Sequence, residues 1–246
     1  MSSCLICGST PTIKSHLIPR SMAIEVQVGK AHAVTTINEE VVQTQSGIYE
    51  QDILCGPCDN HLGKMENAAL KAFRKIREVA ANYVDGEYKL NNVKGDDIIR
   101  FIAGLLWKYS VASVRNGRIN LGPYQTLVKD IAFSTNEVPL VIDALLIRLK
   151  THSHDENVFS YRTPMPDRKE GVNGYRLVVG GMFIFVKLDK QSPKKGILKR
   201  ASFKGKSFLP YAVMRSQNFE EFKLPAKLLN RESRLSRFLA KQDNGV

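Results

Sequence analysis

Apolar residues recur at intervals of three and four after Cys58: Ala69, Leu70, Phe73, Ile76, Ala80, Tyr83 and Val84 form one face, while Lys64, Lys71, Arg74, Lys75 and Arg77 lie mostly elsewhere. That period predicts an amphipathic helix starting at or just after Asp59 and ending before Asp85-Gly86. A second helix, capped by Asp96 or Asp97, runs through Ile98, Ile99, Phe101, Ile102, Leu105, Leu106, Tyr109 and Val111. It is apolar around so much of its circumference that it must be buried, and Trp107 belongs to that core. Helices are also expected over 124–132, after Leu121-Gly122-Pro123, and over 138–150, with Pro139 in the first turn. None of these carries a chemical constellation, and they read as packing elements.

Elsewhere the pattern favours strands. Residues 12–19 form a short strand carrying His16, and AVTTI at 33–37 with VVQTQ at 41–45 reads as a hairpin around Asn38-Glu39-Glu40. VFSYRT at 158–163 and YRLVVGGMFIFVKL at 175–188 are further strand runs, separated by a turn signal at Gly171 and Asn173-Gly174. Gly180-Gly181 marks a bulge or turn; no Lys-Ser/Thr follows it, which excludes a nucleotide phosphate loop there. DGEYKLNNVKG at 85–95 reads as a linker or small hairpin and is the best candidate boundary. The expectation is an α+β chain with an N-terminal module over 1–85 and a helical plus β-strand part over 96–246.

At 246 residues and 43 % hydrophobic, the chain suits one large domain or a small module joined to a larger one. No apolar run approaches the roughly 18 residues of a membrane span. Lys and Arg number 36 against 24 Asp and Glu, a net charge of +12 that suits a polyanionic partner. Seven cations and no acid lie between Lys190 and Lys206, among them Lys194, Lys195, Lys199 and Arg200, and six more lie between Lys223 and Lys241 on an expected helix. Such a face suits tracking of a phosphate backbone. His152 and His154 in THSHDEN read as loop residues, and His32 as surface or structural.

All four cysteines fall into two Cys-x-x-Cys pairs, Cys4/Cys7 and Cys55/Cys58. Two thiolates on a tight turn can bond one ion, and two such knuckles complete the tetrahedral Cys4 site of structural zinc. Gly8, Gly56 and Pro57 supply the turns. Two disulfides are the competing arrangement; a Cys-x-x-Cys pair self-bridges poorly in a tight knuckle, and no signal peptide precedes it, so a reducing, cytoplasmic setting is expected. The 47 residues between Cys7 and Cys55 exceed the gap of a compact zinc ribbon, so something else is built between the knuckles.

Those residues carry a resemblance. CLIC at 4–7, Ser15-His16-Leu17-Ile18-Pro19-Arg20, then LCGPCDN at 54–60 and Gly63 resemble, in order and spacing, the HNH or ββα-metal nuclease superfamily over about a quarter of the chain. The Ser-His-Leu-Ile-Pro form, Lys64-Met65-Glu66, LLWKYSVAS at 105–113 and LGPY at 121–124 are similar to a poorly characterised bacterial branch of it. The resemblance implies a zinc-stapled ββα module in which the 33–45 hairpin enlarges the β-ribbon, with His16 as general base and Asp59 where the family places a metal-binding Asn or His. Ser15 stands in place of the usual acidic or His ligand, and Leu62 in place of a Lys. A catalytic Mg²⁺ or Mn²⁺ then falls to Asp59, helped by Asn60, His61 or Glu66, or else catalysis has been lost. Lys14 and Arg20 are the expected phosphate contacts near His16; Gln45 and Glu50, just before the second knuckle, could support the site.

Three functions follow as expectations. The first is a metal-dependent endonuclease acting on DNA in preference to RNA, with a gated role in defence against phage or mobile elements. The second is a zinc-stabilised nucleic-acid-binding protein without catalysis. The third is an adaptor that docks another protein subunit or a second copy.

Overall fold

The structure, a computed structural model, describes residues 2–25, 32–35, 41–44, 47–150, 160–216 and 219. The basic helix expected over 223–241, the THSHDEN loop, Gln45 and the Asn38-Glu39-Glu40 turn lie outside the described residues.

The chain is mixed α+β. Strand β1 (Ser15–His16) and helix α1 (Arg20–Glu25) follow the first Cys knuckle; β2 (His32–Thr35), β3 (Val41–Thr44) and β4 (Tyr49–Glu50) precede the second. Helix α2 (Gly56–Val79), strand β5 (Gly86–Asn91), helix α3 (Gly95–Val111) and helix α4 (Gln125–Phe133) come next. Strands β6 (Ile142–Lys150), β7 (Ser160–Lys169), β8 (Val172–Val179) and β9 (Met182–Leu188), helix α5 (Ile197–Ala201) and strand β10 (Phe208–Arg215) complete it.

Eight strands form one sheet in the order β3-β2-β7-β8-β9-β6-β10-β5, parallel between β2 and β7 and between β6 and β10, antiparallel elsewhere. Strand β6 explains how the sheet is covered. Ile142, Ala144 and Leu146 enter the main core, whereas Leu145, Ile147 and Leu149 enter a second cluster that contains Leu198 and Ala201 of α5. Alternate side chains of a strand point to opposite faces, so the sheet has the helical layer on one face and α5 on the other.

This arrangement corrects the helix expected over 138–150. A strand buried on both faces is a continuous apolar run, and such a run has the composition of a buried helix as much as of a strand. The hairpin expected to enlarge the His16 ribbon is present as β2 and β3, yet it adds to the large sheet through β7; the ribbon that carries His16 is β1 with β4. Residues 86–91, expected as a linker or small hairpin, are strand β5, paired antiparallel with β10.

Helix α3 begins at Gly95 with Lys94 as its cap residue, not Asp96 or Asp97. Asp96 instead accepts a hydrogen bond from the Gly205 amide at 2.7 Å. Glycine at 95 is dictated by proximity: a Cβ there would stand 1.9 Å from the carbonyl oxygen of Phe203. The 203–206 segment is thereby seated on the start of α3, where the Gly95 amide also donates to the Lys206 carbonyl at 2.9 Å. Helices α2 and α3 pack together, with Phe73 edge-on to Phe101 and Leu62 under Gly104. The His16 ribbon lies at the opposite end of α3, beside Lys108.

Candidate metal centre and the His16 ribbon

The two knuckles meet. The Cys4 amide donates to Ser9 O and the Gly8 amide to Cys4 O, closing a turn in which Gly8 has φ +74°. Cys55 is the cap residue of α2, Pro57 lies in the first turn, and Cys58 follows on that turn. Backbone bonds from Leu5 to Ile53 and from Ile13 to Leu54 hold the knuckles side by side.

All four thiols are free, and the four Sγ atoms lie within 4.8 Å of one another. Cys7 Sγ is 3.5 Å from Cys55 Sγ and 3.6 Å from Cys58 Sγ. A tetrahedral ion with bonds of about 2.3 Å separates its sulfurs by about 3.8 Å, so the donor set fits a metal ion such as zinc. Hydrogen bonds from the Ser9 hydroxyl and amide draw the Cys7 thiol down to about 6, while burial pushes Cys58 up. Among the described residues no other group of three or more His, Cys, Asp or Glu side chains converges in this way.

The cluster staples β1 and β4 to the start of α2. Ser15 pairs with Glu50 and His16 with Tyr49 across the two-residue ribbon. Ser15 is fully buried, and its hydroxyl donates to Asp59 Oδ1 at 2.5 Å. No described residue bonds the other Asp59 oxygen. His16, next along, turns to the more open face, where its ring centroid lies 6.2 Å from that of Tyr49. Burial lowers the imidazole pKa, and the nearby Lys108 and Arg20 charges lower it further against the opposing pull of Asp59 and Glu66. A neutral imidazole is the form that accepts a proton.

Lys108 of α3 is the residue sequence reasoning missed. It is 2 % exposed, and its Nζ donates to the His16 carbonyl at 2.7 Å and to Glu66 Oε1 at 2.8 Å. The signal was the single charged residue in the run from Phe101 to Val111, the apolar part of that helix. Glu50 is clamped similarly: the Ser113 amide and hydroxyl and the Asn116 side-chain amide all donate to its Oε1. Although burial works against it, these bonds and Arg115 hold the Glu50 carboxyl below its usual range.

The expected site residues therefore separate. Asp59 and Glu66 both act on the His16 imidazole through their charge, with Glu66 committed to Lys108. Asn60 is exposed. His61 lies about 200° around the helix from Asp59, stacked on Phe133 with centroids 5.8 Å apart, and lines a separate cavity with Asp96, Asp97 and Arg100. Lys14 and Arg20 are exposed beside the ribbon, Lys14 with its Nζ 5.2 Å from the Tyr49 ring centroid. Lys194, Lys195, Lys199 and Arg200 are exposed on and just before α5, on the sheet face opposite the helical layer that carries His16, and Arg200 pairs with Glu87 at 2.7 Å.

No helix among the described residues is long and apolar enough to cross a membrane. No family model, curated protein or solved structure matches the chain.

Proposed function

We propose that this chain is a metal-dependent endonuclease of the HNH type that hydrolyses DNA phosphodiester bonds. The observation that carries the reading is the Ser15 hydrogen bond to Asp59, which ties the ribbon strand that carries His16 to the first turn of the helix that follows, in a segment bounded by the Cys4, Cys7, Cys55 and Cys58 cluster. In this reading β1, β4 and α2 are the ββα-metal module, and zinc at the cysteines is structural.

Asp59 presents one carboxylate oxygen with no described partner, which fits a magnesium-like ion that takes one or two carboxylates and completes its shell with water and phosphate oxygens. Such an ion, Mg²⁺ or Mn²⁺, would supply polarisation of the phosphate and stabilisation of the leaving oxygen. The chain's own residues do the remainder. Neutral His16 takes the proton from the attacking water. Ser15 holds the Asp59 carboxylate in place, a positioning role that gives this serine a use where the family resemblance leads one to expect a ligand. Lys14 and Arg20 meet phosphates beside the ribbon.

The commitment of Glu66 to Lys108 favours a second reading, a zinc-stabilised nucleic-acid-binding protein without catalysis, because it leaves Asp59 alone as a carboxylate donor. The test is cleavage of supercoiled plasmid, single-stranded DNA and RNA with Mg²⁺, Mn²⁺ or EDTA. Metal-dependent cutting by the wild type, lost in His16→Ala and Asp59→Ala, is the expected result. Binding of nucleic acid with no cutting in any metal selects the second reading.

A further inference from the structure

Beside His16 the ribbon carries an aromatic ring that the hydrolytic reading does not use. Tyr49 stands directly across from His16 in the antiparallel pair, so the two side chains share one face of the ribbon. Tyr49 is 44 % exposed, uncommon for a large aromatic in a chain with this much buried core, and its ring is tilted 60° to the imidazole. Lys14, two residues before His16 and on the same face, brings its ammonium to 5.2 Å from the ring centroid. The backbone that carries the ring is fixed from behind: the next residue, Glu50, receives three hydrogen bonds from Ser113 and Asn116, and the Asn116 side chain also donates to the Tyr49 carbonyl. Arg115, whose charge acts on Glu50, and Arg20, whose charge acts on His16, are both exposed.

An exposed ring with an ammonium against it and exposed guanidinium groups on the neighbouring segments matches the chemistry of unpaired nucleic acid: the ring stacks on a base while the ammonium and guanidinium groups meet the flanking phosphates. A base inside an intact duplex keeps both its faces in the stack and cannot offer one to Tyr49. We propose that Tyr49 is a stacking platform for an unpaired base, so that the His16 site takes single-stranded or locally opened nucleic acid in preference to intact duplex. The inference rests on the reading of His16 as the reactive centre.

The test measures binding without turnover. Fluorescence anisotropy in EDTA, at fixed low salt, follows a labelled 12-nucleotide single strand and a 12-base-pair duplex on the zinc-loaded full chain. Tyr49→Leu should weaken single-strand binding roughly 5- to 150-fold, the range for loss of one base–aromatic stack, and leave duplex binding within about twofold. Tyr49→Phe keeps the ring and should retain single-strand affinity. Equal loss in Tyr49→Phe and Tyr49→Leu assigns the effect to the hydroxyl and overturns the stacking proposal, as does equal affinity of the wild type for strand and duplex. An unfolded Tyr49→Leu is recognised by lost zinc or a lowered melting temperature, and Tyr49→Trp then serves: a single strand should quench its indole fluorescence, and binding without that quenching overturns the proposal. Stacking without metal-dependent cutting would refute the nuclease reading while the platform stands; cutting with no effect of Tyr49→Leu would do the reverse.

Discussion

Replacing Lys108 with methionine keeps the stem of the side chain and removes only its ammonium. Two acceptors then lose their donor, the His16 carbonyl and Glu66 Oε1. Breaking a buried ion pair typically costs about 3–5 kcal/mol, and a hydrogen bond to a charged group is worth about 1.5–3 kcal/mol. Glu66 retains 22 % exposure, so water recovers part of its solvation, and about 2–4 kcal/mol is the expected loss for Lys108→Met. Glu66→Leu is the harsher single change, about 3–5 kcal/mol, because it strands an ammonium at a site only 2 % exposed. The double variant leaves just the His16 carbonyl unsatisfied, about 1–3 kcal/mol, so the cycle should show a coupling of at least about 2 kcal/mol. Urea unfolding at fixed zinc, with an unchanged slope, measures all four corners. A Lys108→Met variant within about 0.5 kcal/mol of wild type, or strictly additive singles, refutes the bridge.

Four further outcomes are expected. Ser15→Ala should lower metal-stimulated cleavage roughly 10- to 100-fold, as loss of a partner that orients a ligand does; a folded variant with unchanged rate shows that Asp59 needs no orienting. Zinc analysis should find about one ion per chain, lost in Cys58→Ser along with melting of the ribbon, whereas full retention means the four sulfurs are not the site. Because His16 binds its proton less tightly in the folded chain than in the unfolded, the unfolded state carries more protons just below pH of about 6.5; the imidazole therefore withdraws stability as pH falls through that window. The acid limb of cleavage should accordingly have its midpoint below about 6.5, and a limb centred above that value contradicts the lowered His16 pKa. Charge reversal at Lys194, Lys195 and Lys199 should weaken long DNA but spare a six-nucleotide strand bound at the ribbon, since α5 lies on the sheet face opposite the layer that carries His16; equal weakening of both lengths argues against that separation.

Strong periods were legible because their cause is local. The amphipathic face of α2, the buried α3 and the paired Cys knuckles each follow from spacing within a few turns. Strand β6 was misread because burial on both faces erases the alternation that identifies a strand, and which neighbours cover it is decided by β9, β10 and α5 far along the chain. The β2–β3 pairing was legible, but its partner β7 was not, since parallel pairing has no turn to mark it. At the site, Ser15 looked like a missing ligand because a sequence shows residue types and not hydrogen bonds. Lys108 drew no reading at all for the same reason, since neither the His16 carbonyl nor Glu66 marks it as a partner in the sequence.

The ribbon's own strength points to where the site is made. Two residues per strand cannot hold a register unaided. Each carboxylate around it is instead fixed by a group from elsewhere: Asp59 by Ser15, Glu66 by Lys108, Glu50 by Ser113 and Asn116. Two of these three clamps come from α3 and the turn after it, beyond the 1–85 stretch that carries the four clustered cysteines and both reactive candidates. The four cysteines meet without any residue of that helix, but the His16 carbonyl has its donor in Lys108, and Glu50 of β4 has its donors in Ser113 and Asn116. The cysteines set where the ribbon begins, and α3 sets how His16 and Tyr49 are presented.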